Sequence, residues 1–323
     1  MRVMVLGSGG AIAQAIANRL VALRDVVVGV SRSKVAQPPG VGLVVGDCAD
    51  TALMAPLLTS YRPDLVIDCT AYNLIGSAWL IEAVDARGIR YVMLSSSDVY
   101  ANYGLLHQLE TGDVTPDLLD EAAQLRASRF PYRGRGQPSE ANSNVLDYYD
   151  KIPIEERVRQ LQTDWLIVRL PMVFGPGDRQ RRFRWIYAPM MTGAKVLAAP
   201  RSWLNWCGSY GYVHNIGSAI ALLAHLSELR TVVNVCDNEP DDHFAWVRRF
   251  AQALGWHGEV EADDHPPAGA WAALQSLDLS VPLRLSTQTL NRLLRRSIAE
   301  IPLQQQVRET VAAVARLPGA SRM

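Results

Sequence analysis

Short apolar runs alternate along this chain with longer stretches in which apolar residues recur at three- and four-residue spacing. The runs are Val3–Leu6, Val26–Val30, Leu43–Val45, Leu65–Asp68, Tyr91–Leu94, Trp165–Leu170 and Val232–Val235. They are apolar at nearly every position rather than at alternate ones, which suits strands covered on both faces, as in a parallel sheet with crossover helices. The amphipathic stretches predict helices over Ala11–Arg24, Thr51–Tyr61, Leu74–Arg87 and Ile154–Gln162, the third stopped by Arg87-Gly88. The expected fold class is α/β: a Rossmann-like, doubly wound parallel sheet with a smaller C-terminal substrate lobe. Past Gly175 the alternation fades into Pro-, Arg- and Trp-bearing segments, while Tyr212–Leu226 and Val232–Val235 read as elements returning to the sheet. The expected division is a dinucleotide-type domain over 1–176, rejoined by 209–238, and a small lobe from 177–208 and 239–323. A closing helix is predicted over Leu303–Leu317, ahead of Pro318-Gly319.

Composition excludes some function classes. The 323 residues are 49 % hydrophobic and 20 % charged, with 32 basic against 32 acidic side chains, so no global field attracts nucleic acid or anionic lipid. Neither a nucleic-acid nor a membrane partner is expected, and the partner expected instead is a small molecule. Cys48, Cys69, Cys207 and Cys236 form no CxxC pair, which fits a reducing cytoplasm better than a disulfide or zinc scaffold. No apolar run is long enough to span a bilayer, and the first is cut short by glycine, unlike a signal peptide. His243, His257 and His265 lack partners at ligand spacing, so no metal is expected. His214, next to the returning helix, suits a structural hydrogen-bonding role.

Chemistry concentrates where strands end. The first run leads into Gly7-Ser8-Gly9-Gly10-Ala11-Ile12-Ala13, a glycine turn opening a helix. Such a turn brings main-chain N–H groups close to a dinucleotide pyrophosphate, and the helix terminus adds partial positive charge. Gly7, Ser8, Gly9, Gly10, Ala11 and Ile12 are the candidate contacts. After the second run comes Ser31-Arg32-Ser33-Lys34, with no carboxylate to receive a ribose 2′-hydroxyl. Arg32 and Lys34 therefore suit a 2′-phosphate, with Ser31 and Arg32 as cofactor contacts, favouring NADP over NAD, although a solvated basic turn reads the same way. Asp47 and Cys48 are placed at the adenine end, nearby Asp50 suits a helix N-cap, and Thr70-Ala71 is small enough for a cofactor to lie across. Ser95-Ser96-Ser97-Asp98 supplies hydroxyls and a carboxylate at the mouth of the sheet.

With these motifs the chain resembles the extended short-chain dehydrogenase/reductase family, the NAD-dependent epimerases and dehydratases. Besides the Gly7, Gly10, Ala13 turn, the resemblance rests on Ser95-Ser96-Ser97-Asp98-Val99-Tyr100, Lys151 with Glu155, Arg169-Leu-Pro-Met-Val-Phe-Gly-Pro-Gly177, Tyr212-Val-His-Asn and Val233-Asn-Val235. It implies Ser96 as the catalytic hydroxyl, Lys151 as both cofactor ligand and modulator of a tyrosine, Pro171 and Val173 beside the cofactor, and a homodimer formed through long helices. The family's Tyr-x-x-x-Lys falls on Asp147 instead of tyrosine, leaving Tyr148 and Tyr149 three and two residues before Lys151. On a helix those separations correspond to roughly 60° and 160°, so Tyr148 is expected to share the lysine face and act as general acid/base. Pro153 belongs in a first helical turn, which puts the helix start near Asp150 and both tyrosines on the approach to it.

Ser97, Asp98, Tyr149, Arg179 and Trp206 are candidate substrate contacts. Arg179 opens the basic run Arg179–Arg184, readable as an anion site or a solvated face, and Trp206 with Trp203 and Tyr210 as a substrate wall or a core. The connection from Ala101 to Asn144 is long, and Phe130–Gly136 within it reads as a lid or as mobile surface. The resulting expectation is an NAD(P)-dependent oxidoreductase or epimerase/dehydratase acting on a small polar hydroxyl- or carbonyl-bearing molecule. Its rival is a non-catalytic NAD(P)-sensing or RNA-binding relative with a degenerate site.

Overall fold

The computed structural model describes residues 1–134, 143–236, 240–264, 271–295, 298 and 300–315. Every apolar run becomes a strand: β1 (Arg2–Leu6), β2 (Val26–Ser31), β3 (Val41–Val45), β4 (Leu65–Asp68), β5 (Arg90–Ser96), β6 (Trp165–Leu170) and a returning strand, Arg230–Asn234. They form one parallel seven-stranded sheet in the order returning strand, β6, β5, β4, β1, β2, β3. This is the doubly wound architecture expected. The chain runs outward from β1 to β3, then crosses back to β4, so the switch point lies between β1 and β4. A crevice opens there beyond the carboxyl ends of the strands.

Period-two alternation sends Val3 and Val5 into one core and Met4 and Leu6 into the other. The first core is closed by α1 (Ala11–Ala22) and the helix Val213–Ala224, the second by α2 (Thr51–Tyr61), α3 (Leu74–Asp85) and the helix Ile152–Val158. A Cβ on Gly217 would lie 2.6 Å from that of Ala15, so α1 and Val213–Ala224 pack almost backbone to backbone. Asp50 caps α2 by accepting from Ala52 N at 2.9 Å, as its position predicts. α1 stops two residues short of the predicted Arg24, whose φ of 66° is left-handed.

A separate aromatic core of Phe174, Phe183, Tyr212, Trp246 and Phe250 lies among the later segments. The helices Arg184–Met191 and His243–Leu254 surround it, the latter capped by Asp242 and ended by Gly255 at φ 65°. Two strand pairs, Met172–Phe174 with Tyr210–Tyr212 and Val196–Pro200 with Glu259–Asp263, complete it. The expectation that 239–323 forms one lobe needs correction. Leu290 and Ile298 are buried in the first sheet core, because their side chains complete its apolar cover beside the returning strand. The last helix spans Leu303–Ala315, and the predicted Arg316 and Leu317 lie outside the described residues. Among the described residues no helix is long and apolar enough to cross a membrane, and no His/Cys/Asp/Glu group is arranged to hold a metal.

Candidate active site

Because all strands of the sheet are parallel, the segments that follow them emerge at one edge. After β1, Gly7 adopts φ 75°, and its N–H and that of Ser8 both donate to Val30 O, at 2.9 and 3.0 Å. A Cβ on Gly7 would meet Thr70 Cγ2 at 2.7 Å, so only glycine lets the turn settle against the end of β4. Gly10 is exposed and N-caps α1, and among the described residues no side chain caps the N–H groups of its first turn. These features fit a dinucleotide pyrophosphate. Arg32, Ser33 and Lys34 are exposed beyond β2, Asp47 accepts from Ala49 N at 2.9 Å, and Thr70 Oγ1 lies 3.6 Å from Cys48 Sγ. Burial raises the Cys48 thiol pKa.

Thr70 continues directly into the reacting end of the site. Its N–H and hydroxyl both donate to Asp68 Oδ1 at 2.7 Å, and Ala71 O accepts from Lys151 Nζ at 2.8 Å. Lys151 donates a second hydrogen bond to Leu94 O, also at 2.8 Å, leaving one of its three N–H groups for a ligand. Burial lowers the lysine pKa, opposed by Asp98 and Asp68. The ammonium lies 5.2 Å from the Tyr72 ring centroid and 5.4 Å from that of Tyr149, within cation–π range.

Tyr149, not Tyr148, is the tyrosine brought to this lysine. Tyr148 is 56 % exposed, with Arg133 over its ring at 5.9 Å, and so the helical-spacing expectation is corrected. Its reason is local: a short helix ends at Asp147, the next begins at Ile152 with Pro153 in its first turn, and residues 148–151 connect the two. The 160° separation imposed by an unbroken helix does not apply across such a break. Buried Tyr149 donates to Asp98 Oδ2 at 2.8 Å and lies within hydrogen-bonding influence of Ser96. Burial, then the Asp98 charge and hydrogen bond, raise its pKa well above that of a free phenol.

The connection after Ala101–Leu106 folds down over this cluster. Tyr132 packs edge-on against Tyr149, with ring centroids 5.0 Å apart, and donates to Asp98 Oδ2 at 3.0 Å. Arg126 holds the segment in place: Nε donates to Asp98 O at 2.8 Å and Nη2 to Asp150 Oδ1 at 2.7 Å, while Arg129 reaches the other Asp150 oxygen at 2.7 Å. Asp150 thus ties the cover to the lysine segment. Part of the anticipated lid, Phe130 to Gly134, sits on the site, while Arg135 and Gly136 lie outside the described residues. Beneath, Ser95 Oγ donates to Glu155 Oε1 at 2.6 Å and Arg169 grips both Glu155 oxygens, at 3.0 and 2.7 Å, supporting β5 and β6.

The structure therefore gathers Ser96, Lys151, Asp98 and Tyr149, with Ser97 buried beside them, and leaves Tyr148 outside. Pro171 and Val173 are buried at the end of β6, and Arg179 is exposed beyond them. Trp206 belongs to a core: it is 4 % exposed, stacks on Trp203 and donates Nε1–H to Val281 O at 2.9 Å. His243 is likewise enclosed between Tyr210 OH and Trp203 O, both at 2.8 Å, and His265 lies outside the described residues. His214 is exposed, with its ring edge-on to Tyr212 at 5.4 Å. Sequence reasoning missed Tyr132, Arg126 and the anchoring role of Asp150. The one signal available was Pro153, which announces a helix break but not what folds over it.

Residues 3–118 match the model of the NAD dependent epimerase/dehydratase family, which bears out the resemblance read from the motifs. A search of curated proteins finds no match. Among solved structures, dTDP-glucose 4,6-dehydratase from Bacillus anthracis in complex with NAD superposes with a TM-score of 0.70 at 15 % identity, over 99 % of this chain and 98 % of that one. Thermus thermophilus UDP-glucose 4-epimerase, also in complex with NAD, gives 0.67 at 21 % identity, over 97 % and 98 %. UDP-N-acetylglucosamine 4-epimerase from Methanobrevibacter ruminantium, in complex with UDP-N-acetylmuramic acid, gives 0.69 at 18 % identity, over 100 % and 99 %. At these identities the likeness establishes the fold.

Proposed function

We propose that this chain is an NAD(P)-dependent enzyme of the epimerase/dehydratase type, oxidising and re-reducing a hydroxyl-bearing carbon of a sugar nucleotide. The observation that carries the reading is the convergence of Lys151, Tyr149 and Ser96 beside the glycine turn although the usual spacing is broken. A purely structural remnant has no reason to bury a lysine beside a buried tyrosine at the mouth of the sheet.

Gly7 to Ile12 hold the pyrophosphate on the turn and helix N-terminus, Asp47 and Cys48 flank the adenine, and Thr70, Ala71, Pro171 and Val173 border the nicotinamide half. The nicotinamide nucleotide supplies the hydride chemistry when bound. Lys151 offers its remaining N–H to the nicotinamide ribose. Tyr149 Oη exchanges the proton with the substrate oxygen, and Ser96 Oγ hydrogen-bonds that oxygen and fixes its position. Arg32, with Ser31 and no carboxylate at the end of β2, favours the 2′-phosphate of NADP.

Two measurements test this: fluorescence titration with NADH and NADPH, and an absorbance assay for keto-sugar or reduced nucleotide formation with UDP-glucose, dTDP-glucose and UDP-N-acetylglucosamine. Both nicotinamide nucleotides bind, NADPH more tightly, and at least one sugar nucleotide is turned over. Absence of binding by either overturns the reading, and unchanged turnover in Lys151→Ala overturns the role given to the lysine.

A further inference from the structure

The proton taken up by Tyr149 needs somewhere to go. Its own hydroxyl hydrogen already points at a carboxylate, so an ionised phenol here would stand against a like charge in a buried site. Asp98 Oδ2 receives two phenols, Tyr149 at 2.8 Å and Tyr132 at 3.0 Å, while its Oδ1 is buried with no hydrogen-bond partner among the described residues. The carboxylate is fixed from behind as well, since its N–H donates to Ser96 Oγ at 3.2 Å and its main-chain oxygen accepts from Arg126 Nε. Such a group has the geometry of a proton store with capacity to spare.

We infer that Asp98 is the positioning and proton-holding residue behind Tyr149, forming a two-step relay from substrate hydroxyl to phenol to carboxylate. The inference rests on the activity proposed above. In the oxidative direction the substrate O–H bond breaks and its proton passes to Tyr149 Oη as the Tyr149 proton passes to Asp98 Oδ2. The electron pair of the adjacent C–H bond leaves as hydride to the oxidised nicotinamide nucleotide that the activity supplies, and a carbonyl remains. Reduction runs the same transfers backwards and returns Asp98 to its ionised form. The phenol is never left as a free anion, so the relay does not depend on the lysine lowering the tyrosine pKa.

The groups facing Asp98 fix the direction of its pH response. Tyr149 and Lys151 approach from the connection before Ile152–Val158, Tyr132 and Arg126 from the covering segment, and Tyr103 lies behind Tyr132 with ring centroids 6.1 Å apart. Desolvation outweighs the help of these partners and raises the carboxyl pKa above its ordinary value. Oxidation requires the ionised carboxylate, and so its acid limb falls at a higher pH than that of an ordinary aspartate.

The test uses the full chain labelled with tyrosine carrying ¹³C at Cζ, the Tyr149 resonance being assigned by its loss in Tyr149→Phe. In the unsubstituted protein the expected Tyr149 resonance remains phenolic well above the midpoint of an ordinary phenol and shows a small step as Asp98 titrates. Asp98→Asn removes that step and lowers the phenol midpoint by about one pH unit or more, whereas Tyr132→Phe keeps the step. An identical Tyr149 titration with and without Asp98 overturns the relay. Should Asp98→Asn not fold, the infrared carboxyl band decides: in Tyr149→Phe the Asp98 midpoint moves up, and an unmoved midpoint overturns the relay. With a sugar nucleotide that the unsubstituted protein turns over, Asp98→Asn lowers kcat by about a hundredfold or more, leaves KM nearly unchanged and flattens the acid limb. A wild-type kcat in that variant also overturns the relay. Failure of NADH to bind would instead sink the activity itself, while the spectroscopic result still reports on the tyrosine–aspartate pair.

Discussion

Tyr148 and Tyr149 are neighbours in the chain with opposite surroundings, one half open to solvent beside Arg133, the other sealed between Lys151, Asp98 and Tyr132. Tyr149→Phe is therefore expected to lower kcat by about a hundredfold or more in the sugar-nucleotide assay, with bound NADH fluorescence unchanged, while Tyr148→Phe leaves kcat within about a factor of two. Equal losses in the two variants would refute the assignment. At the other end of the site, Arg32→Ala is expected to weaken NADPH about tenfold or more and to leave NADH nearly untouched, as a fluorescence titration reads. Ser96 and Lys151 were legible in the sequence because each stands at a fixed offset from a recognisable strand end or glutamate. Tyr149 was not, since the three-against-two comparison assumed one helix where Pro153 imposes a break. Tyr132 and Arg126 were less legible still: their roles follow from a tertiary docking of a long connection, and nothing in local spacing encodes it.

Among the elements, the glycine turn and the two helices behind it set the precision of the site. Gly7 combines a left-handed φ of 75° with a neighbour 2.7 Å from any added Cβ, so Gly7→Ala strains the backbone and pushes β4 away from β1. The expected outcome is a loss of about 1–3 kcal/mol in urea unfolding and of nicotinamide nucleotide binding beyond that caused by instability alone. Gly217→Val tests the support from a distance. Its Cβ would meet Ala15 Cβ at 2.6 Å and the Ala15 carbonyl carbon at 2.7 Å, forcing α1 from its seat without touching the turn. If the position of α1 governs cofactor binding, this variant weakens NADH as well as lowering stability. The strands and the first three helices were legible because buried runs and amphipathic spacing are local properties. The helices Arg184–Met191 and His243–Leu254 escaped, the first carrying Pro189 and the second needing its Asp242 cap and Gly255 stop to be read as one unit.

At the scale of the molecule, the sheet carries the nucleotide half of the site, and the aromatic core beyond Gly175 stands beside it with a titratable group sealed inside. His243 is wholly buried, held by Tyr210 OH and Trp203 O, with Trp203 and Trp206 rings 4.1 and 5.4 Å away. Burial pulls its pKa from 6.5 down to about 4, so the folded protein keeps the ring neutral where the unfolded chain would protonate it. A depressed folded-state pKa makes this contribution complete above pH 6.5 and removes it progressively as the pH falls through about 4. The window corresponds to about 3 kcal/mol. Urea unfolding followed by tryptophan fluorescence, which reports on the rings around His243, is expected to show steep destabilisation from pH 7 to pH 4.5 in the unsubstituted protein. In His243→Gln, whose amide still offers a donor and an acceptor but does not titrate, the same pH change costs about 2 kcal/mol less. An equal pH slope in both proteins would mean that the ring is not held neutral by this core. Nicotinamide nucleotide binding at pH 7 is expected to remain in the variant, because the glycine turn, Thr70 and Lys151 are positioned by the sheet and not by the aromatic core.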